Sequence, residues 1–254
     1  MKIIILGSKG MLGAALKEEF VPPQRDPVLG GGKKDYEVFA FDKQNLDVTN
    51  KNDIKNKFAE IKPNFVINAA AYNAVDKIEE NIVDYHLAEQ INGYAVGYLA
   101  QACKDLAVPL AHYSSDYVFG STGSPQVAKS GYAEEAFIDP INKYGETKVL
   151  GENLLKSNTD KYYLIRLSRL FGPVGESETA KKSFVEVMLD LALKGKQEFD
   201  LVDDEKSCPT YSKDLARLTR YIIEQKLPYR IYHRANSGAG TWYEYAKEIL
   251  RIKK

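Results

Sequence analysis

The sequence predicts an α/β protein built on a doubly wound parallel sheet, and three observations carry that prediction. A β-branched apolar run, Lys2 to Leu6, leads directly into a glycine-spaced turn and a helical stretch. Short apolar strands then alternate with helical stretches over most of the chain, the pattern of parallel strands joined by crossovers. Polar residues able to do chemistry fall just past strand ends, the edge where open α/β sheets bind ligands.

Composition narrows the class. At 254 residues and 44% hydrophobic content, the chain can bury a full core, as one domain or as one domain with a small lobe. Lysine plus arginine equals aspartate plus glutamate at 35 each, so no net basic field exists to hold nucleic acid or an anionic membrane. Cys103 and Cys208 lie far apart and form no Cys-x-x-Cys pair; they read as ordinary thiols of a reducing compartment, with no metal signature. The apolar run after Met1-Lys2 is too short for a signal peptide, and no run reaches transmembrane length. The expectation is a soluble cytoplasmic protein with no metal and no nucleic-acid or membrane partner.

In chain order, the first strand ends in Gly7-Ser-Lys-Gly10-Met-Leu-Gly13, and Ala14 to Phe20 reads as a helix. Glycines at this spacing permit a tight turn and close approach of a pyrophosphate to the helix N-terminus, where unpaired N–H groups favour anions. Pro22, Pro23, Pro27 and Gly30 to Gly32 mark an exposed loop, after which Tyr36 to Phe41 reads as a strand ending at Asp42. A carboxylate there suits the adenosine ribose of NADH, while the adjacent Lys43 suits the 2′-phosphate of NADPH, so the residues leave both cofactors open. Asp42 lies 35 positions after Gly7, more than the usual spacing of about 20, and the excess is assigned to the Pro/Gly loop.

Lys51 to Ile61 is amphipathic, and Phe65-Val-Ile is a third strand running into Asn68-Ala-Ala-Ala71-Tyr72, whose small side chains leave room for a ligand. A long helical stretch from Asp84 to Leu106 crosses one face, and the strand Val108 to Tyr113 delivers Ser114-Ser115-Asp116-Tyr117. Gly120 to Gly131 reads as a loop at the pocket rim, and Pro140 opens the helix that carries Tyr144 and Lys148. Another strand, Tyr162 to Leu167, precedes Ser168-Arg169. Beyond it the alternation weakens: a helix near Ser183 to Leu193, a short strand Glu198 to Val202, a substrate-facing segment to Thr210, and helices Ser212 to Gln225 and Thr241 to Ile252 around a strand Tyr229 to His233. His112 lies inside an apolar strand and reads as a packing residue.

Tyr144 and Lys148 stand four residues apart, on one face of a helix. A tyrosine titrates near pH 10, and a fixed positive charge beside it favours the phenolate, making the phenol a better acid at neutral pH. That chemistry suits a carbonyl. With 17 tyrosines, about one such pair is expected by chance, and a second exists at Tyr243 and Lys247. It belongs to a capping box, Thr241-Trp-Tyr-Glu244, with no strand-end serine before it, and reads as structural.

Five pieces in order, Gly7-x-x-Gly10-Met-Leu-Gly13, Asn68 to Lys77, Tyr113 to Phe119, Asn142 to Lys148 and Pro209-Thr210, resemble the extended short-chain dehydrogenase/reductases, and most closely the dTDP-4-dehydrorhamnose reductase family. The resemblance implies a Rossmann-type doubly wound parallel sheet, residues 1–168 binding NAD(P) and residues 169–254 forming mainly a substrate lobe, small and truncated, with segments returning to the first. It implies that Tyr144 is the proton donor, that Lys148 binds the nicotinamide ribose and lowers the phenol's pKa, and that Ser115 orients the ketone. Gly7, Gly10, Met11, Leu12 and Gly13, with Asp42, Lys43, Asp47, Val48, Ala69, Ala70, Ala71 and Tyr113, would surround NADPH or NADH. Ser115, Asp116 and Tyr144 would meet a nucleotide-sugar substrate, and Arg169, read from its own chemistry, joins them as a substrate-binding candidate; a homodimer is left open. The implied activity is NAD(P)H-dependent reduction of a nucleotide-activated 4-keto-6-deoxy sugar.

Two departures stand out. Where the family presents an Arg-Thr-Ser-Trp-like segment, this chain has Arg166-Leu-Ser-Arg169, and an arginine there could pair with a phosphate or carboxylate. The family's chains also usually continue past the point where this one stops. A sugar-nucleotide epimerase would share the Tyr/Lys pair, and a non-catalytic regulatory subunit would share the fold; the intact Tyr144, Lys148 and Ser115 argue against the latter. A dehydratase would carry Asp-Glu where this chain has Asp116-Tyr117. No Gly-x-Ser-x-Gly, Walker loop or His-Glu-x-x-His occurs, which removes hydrolase, nucleotide hydrolysis and zinc-protease readings.

Overall fold

Strand β1 (Lys2–Leu6) is apolar on both sides, and this decides the architecture. Ile3 and Ile5 enter one core while Ile4 and Leu6 enter another, so helices have to cover both faces of the sheet. The computed structural model describes residues 1–21, 36–120, 131–177 and 181–252. In it β1 pairs in parallel with β2 (Glu37–Phe41) on one side and β3 (Phe65–Asn68) on the other. Beyond β3 come β4 (Leu110–Ser115) and β5 (Tyr162–Leu167). Two short strands, β6 (Leu170–Phe171) and β7 (Thr210–Tyr211), pair with each other apart from this sheet, and β8 (Arg230–His233) completes it beside β5.

One face is covered by α1 (Met11–Phe20), through Leu12, Leu16 and Phe20, and by a late helix (Ser212–Glu224), through Leu215, Ile222 and Ile223. The other face is covered by α2 (Lys51–Ile61) and by helices that follow β3 and β4. After β3 come α3 (Val75–Glu80), α4 (Ile82–Ala88), a single π turn (Glu89–Tyr94) and α5 (Ala95–Asp105). The long helical stretch expected from Asp84 to Leu106 is thus interrupted by the π turn. After β4 comes α6 (Lys143–Asn158), then α7 (Phe184–Leu193); the late helix over α1 is α8, and α9 (Trp242–Ile252) ends the described chain. No helix among the described residues is long and apolar enough to cross a membrane.

The sheet is the expected Rossmann-type doubly wound one, with order β2-β1-β3-β4-β5-β8. The chain leaves β1 toward β2 and then crosses back to β3, so the winding reverses between β1 and β3. A crevice opens at that switch point, at the carboxyl ends of the strands. Among the described residues the sheet has six strands, with β2 at one edge and β8 at the other. The register pairs Leu6 with Phe41, which sets Asp42 level with Gly7, as the assignment of the intervening excess to a loop required. The loop residues 22–35 themselves lie outside the described residues, as do 121–130 of the rim loop.

Several boundaries differ for local reasons. Helix α1 starts at Met11 rather than Ala14 because Gly10 takes the extended N-cap conformation and its carbonyl already accepts from Ala14. Helix α6 starts at Lys143, not Pro140, because Asn142 caps it, its Oδ1 accepting from the Gly145 amide at 2.7 Å. The strand expected over Glu198 to Val202 does not form. Its apolar side chains, Phe199 and Leu201, instead pack on Met188 and Ile249 of α7 and α9, and the Val202 carbonyl accepts from the Tyr243 amide. The capping box at Thr241 forms as read, with Glu244 N on Thr241 Oγ1 at 3.1 Å and Thr241 N on Glu244 Oε2 at 2.9 Å.

Helix α6 lies tight against the π turn. A side-chain carbon at Gly151 would stand 2.1 Å from the Asn92 carbonyl oxygen, a backbone atom that cannot yield. Gly151→Ala is therefore expected to destabilise the fold by about 1–3 kcal/mol through overpacking, read as a lower urea midpoint; an unchanged midpoint would contradict this packing.

Candidate active site

The seat of α6 places its chemistry. Tyr144 and Lys148 lie one turn apart, 9% and 2% exposed. Lys148 Nζ donates to the Tyr113 carbonyl at the end of β4, at 2.8 Å. The phenol of Tyr113 points the other way, into the α8 side of the core, where its hydroxyl meets Thr219 Oγ1 at 2.7 Å. Next to Tyr144, Gly145 lets the helix touch the turn after β4, since a side chain there would strike the Tyr117 carbonyl. Tyr117 then packs edge-on against Tyr144, with ring centroids 5.6 Å apart.

Asn92 on the π turn is the clamp that sequence reading missed. Its Oδ1 accepts from the Tyr72 amide at 2.9 Å, and its Nδ2 donates to the Tyr72 carbonyl at 2.9 Å and to Thr147 Oγ1 at 3.1 Å. One buried amide therefore ties the strand end after β3 to α6 beside Tyr144 and Lys148. Nothing at Asn92 in the sequence marks it, because a π turn has no residue signature comparable to a glycine turn. A second unread pair is Asn68 Nδ2 with His112 Nδ1 at 3.1 Å, which joins β3 to β4 inside the sheet. His112 is fully buried, as expected of a packing residue, and burial with the nearby Lys148 charge holds its pKa well below the ordinary value.

At the end of β4, Ser115 Oγ donates to Asp116 Oδ1 at 3.0 Å and accepts from the Tyr117 amide at 3.2 Å. The hydroxyl thus also caps the short turn it precedes. Burial pushes the Asp116 carboxyl upward, against hydrogen bonds from Ser168 and Ser115 and the Arg169 charge. For Tyr144, burial raises the pKa above 10, Asp116 and Tyr117 add to the rise, and only a hydrogen bond from Ser115 opposes it. The expectation that Lys148 lowers this pKa is corrected here. Burial, Asp116 and Tyr117 set the direction upward, and Lys148 is itself brought down to about 8 by burial, with Glu152 opposing.

A cavity of about 340 Å³ runs along this edge, its walls including Gly10, Met11, Leu12, Ala69, Ala71 and Tyr113 from the expected dinucleotide set. Ser115, Asp116, Tyr144, Lys148 and Arg169 line it as well, so the five candidate catalytic and substrate residues share one cleft. Gly7 and Gly13 do not line it; they pack the turn, a side-chain carbon at Gly13 standing 2.0 Å from the Gly7 carbonyl oxygen. Gly7 has φ +73°, and a side chain there would stand 2.6 Å from the Ala70 amide nitrogen. Ala70 turns toward the core beneath α2 and α5. Asp47 and Val48 are also outside the cavity: Asp47 Oδ1 holds the turn before α2 through Thr49 N and Oγ1, and Val48 is core. Asp42 ends β2 in an ion pair with Lys9, and Lys43 is exposed.

Three features fit a dinucleotide. Gly10 lines the cavity with only the Gly7 carbonyl near the place a side-chain carbon would take, α1 has neither a side-chain cap nor an acid in its first turn, and Ser114 Oγ is buried at the cavity wall without a partner. Arg169, by contrast, is held by the protein. Its guanidinium lies on Trp242 at 3.9 Å and donates to the Gly240 and Glu205 carbonyls at 2.9 and 2.8 Å. Lys181, Lys182 and Ser183 also reach the cavity rim, residues not singled out from sequence.

The family model described as the RmlD substrate binding domain matches residues 1–254. The chain belongs to the RmlD substrate binding domain family. The dTDP-4-dehydrorhamnose reductase of Aggregatibacter actinomycetemcomitans is 34% identical over 254 residues, covering 98% of this chain and 78% of that protein. The solved structure of a dTDP-4-dehydrorhamnose reductase from Clostridium acetobutylicum matches with TM-score 0.85 and 35% identity, over 100% of this chain and 80% of that one. The Bacillus anthracis enzyme, solved in complex with NADP, matches with TM-score 0.84 and 33% identity, over 99% and 80%.

Lys148 carries a testable energetic signature. Its folded pKa of about 8 lies below the ordinary 10.5, so between these values the unfolded chain keeps a proton that the folded one releases, and stability rises with pH across that window. Below it the charged form is buried at full cost. Lys148→Met is expected to raise stability at pH 7 by about 1 kcal/mol after loss of the bond to Tyr113, and to flatten the rise between pH 8 and 10.5. Urea titrations across that range measure both; a less stable variant would reverse the balance.

Proposed function

We propose that this chain reduces the keto group of a nucleotide-activated 4-keto-6-deoxy sugar, dTDP-4-dehydrorhamnose to dTDP-rhamnose, with NADPH or NADH. The observation that carries the reading is Tyr144 and Lys148 buried on one face of α6, in a single cleft with Ser115 and the Gly10 turn. Relatives named as this reductase support it, and one of the solved ones holds NADP.

A bound NAD(P)H supplies the hydride, and the chain's own residues handle the proton. With its pKa raised, the Tyr144 phenol is protonated throughout the neutral range and is the donor to the alkoxide that forms on the sugar. The Lys148 ammonium, charged below pH about 8, stabilises the phenolate left behind and holds the strand end through the Tyr113 carbonyl. Ser115 turns its hydroxyl from Asp116 to the ketone oxygen as a second donor. Lys181 at the rim offers charge to the diphosphate, while its neighbour Lys182 is paired to Asp190.

The decisive assay follows oxidation of NADPH or NADH with dTDP-4-dehydrorhamnose. Tyr144→Phe is expected to lower kcat/KM by about 10²–10⁴-fold. No turnover by the unmodified protein would remove this substrate, and equal turnover by both would remove Tyr144 as the acid. In the same assay kcat/KM is expected to fall above pH about 8 as Lys148 loses its proton. Lys148→Arg, which stays charged, is expected to be slower but to lack that limb; a limb persisting in the variant would assign it to another group.

A further inference from the structure

Arg169 carries a charge that the protein seats without cancelling. The parallel register pairs Ser115 of β4 with Leu167 of β5, so Asp116 and Ser168-Arg169 leave neighbouring strands at the same level, and both Asp116 and Arg169 line the cleft. The Arg169 carbonyl accepts from Thr210 N at 3.2 Å, and its guanidinium is fixed by Trp242 and by the Gly240 and Glu205 carbonyls. Carbonyls orient a guanidinium but leave its net charge in place. The Glu205 carboxylate stands 3.7 Å away, yet its side chain is 55% exposed against 5% for Arg169, so water screens it. Arg169 Nε is buried with no partner.

Asp116 is the anion on this wall. Burial raises its pKa, while hydrogen bonds from Ser168 and Ser115 and the Arg169 charge oppose the rise. The other ionisable groups around the cleft are placed differently. Tyr117 and Tyr144, both with raised pKa values, stay neutral below pH 10 and bring no positive charge. Lys148 is drawn to the Tyr113 carbonyl, Lys182 is paired to Asp190, and Lys181 is exposed at the rim. Arg169 is therefore the fixed cation at the level of Asp116. An ionised Asp116 only accepts. It can take a hydroxyl of the sugar when Ser115 turns to the ketone, whereas a protonated Asp116 would itself donate and compete with Ser115 and Tyr144 for the ketone oxygen.

We propose that Arg169 is a positioning residue for the reduction: its seated charge holds Asp116 as a carboxylate, so that Asp116 exchanges Ser115 for a sugar hydroxyl and Ser115 is released to the ketone. This rests on the reductase reading of the cleft. Arg169 acts through Asp116 rather than by gripping a phosphate or a substrate carboxylate, because its terminal nitrogens are already spent on Gly240 and Glu205. The rate then has an acid limb, set by Asp116, separate from the limb above pH about 8 that belongs to Lys148.

Two measurements on the full chain test it: the titration of the Asp116 carboxyl by carbon NMR, its signal assigned with Asp116→Asn, and kcat/KM for dTDP-4-dehydrorhamnose against pH. Arg169→Gln, which loses the charge, is expected to move the carboxyl titration and the acid limb together to higher pH, lowering kcat/KM on the acid side by about three- to tenfold. Arg169→Lys, which keeps the charge but not the paired carbonyl bonds, is expected to leave both close to those of the unmodified chain. A merely structural pin would fail alike in both variants. Thermal melts establish that each is folded, and if Arg169→Gln is not, Arg169→Lys decides alone. If Arg169→Gln folds and neither titration moves, or if Arg169→Lys moves the acid limb to higher pH, the proposal is overturned while the reductase reading stands. If the unmodified chain does not turn the sugar over, the reductase reading falls and this proposal with it.

Discussion

The site depends on how closely α6 can approach the sheet edge. Two glycines set that distance: Gly145 against the Tyr117 carbonyl, and Gly151 against the Asn92 carbonyl. With either side chain present the helix would stand off, and Tyr144 and Lys148 would move away from the end of β4. The π turn contributes from the other side by turning Asn92 inward, where one amide bonds both Tyr72 and Thr147. Turns of this kind recur at functional sites because the extra residue redirects a side chain at the cost of one regular hydrogen bond.

Close seating forces a lysine into a dry place, and the neighbouring charges show how that is tolerated. Glu152 lies one turn beyond Lys148 and is fully buried, but it belongs first to Arg166, which binds it with two parallel bonds at 2.7 and 2.8 Å. Arg166 Nη1 also donates to the Glu134 carbonyl at 2.9 Å and contacts His233 Nε2 at 3.3 Å, tying β5 to β8. Glu152 is therefore largely neutralised and can only partly offset the desolvation of Lys148, which accounts for a lysine pKa lowered rather than raised. A lysine that titrates within reach of physiological pH follows from packing.

Much of this was legible in the sequence, and the gaps have physical causes. The strands β1, β3 and β5 are apolar on both faces and bounded by turn residues, so their runs stand out, and the glycine turn and the Ser115, Tyr144 and Lys148 spacing follow from strand ends and helix period. The segment Glu198 to Val202 was misread because alternating apolar residues look alike whether they pair in a sheet or pack as irregular chain on α7 and α9. Asn92, the Lys9–Asp42 pair and the rim lysines were invisible because each is defined by a partner distant in sequence. The direction of the Tyr144 shift was misjudged for a related reason: helix spacing reports that Lys148 is near, while burial, the larger effect, is a property of the whole fold.

Arg169 shows how an apparent change of chemistry is absorbed by structure. In sequence it replaces an indole with a cation and suggests a partner for a phosphate or carboxylate. In the fold its backbone takes φ +43°, a conformation costing a non-glycine residue about 1 kcal/mol or more. The strain aims the guanidinium at Trp242 and two carbonyls, Gly240 and Glu205, with the Glu205 carboxylate 3.7 Å away. Its terminal nitrogens are engaged by the protein, leaving a flat, rigid surface backed by an indole, with a charge that also opposes the upward shift of Asp116. At this wall Arg169 presents a planar group held by the protein and adds a fixed positive charge beside the Ser115–Asp116 bond, so its contribution to the cleft is a fixed potential rather than a mobile arginine.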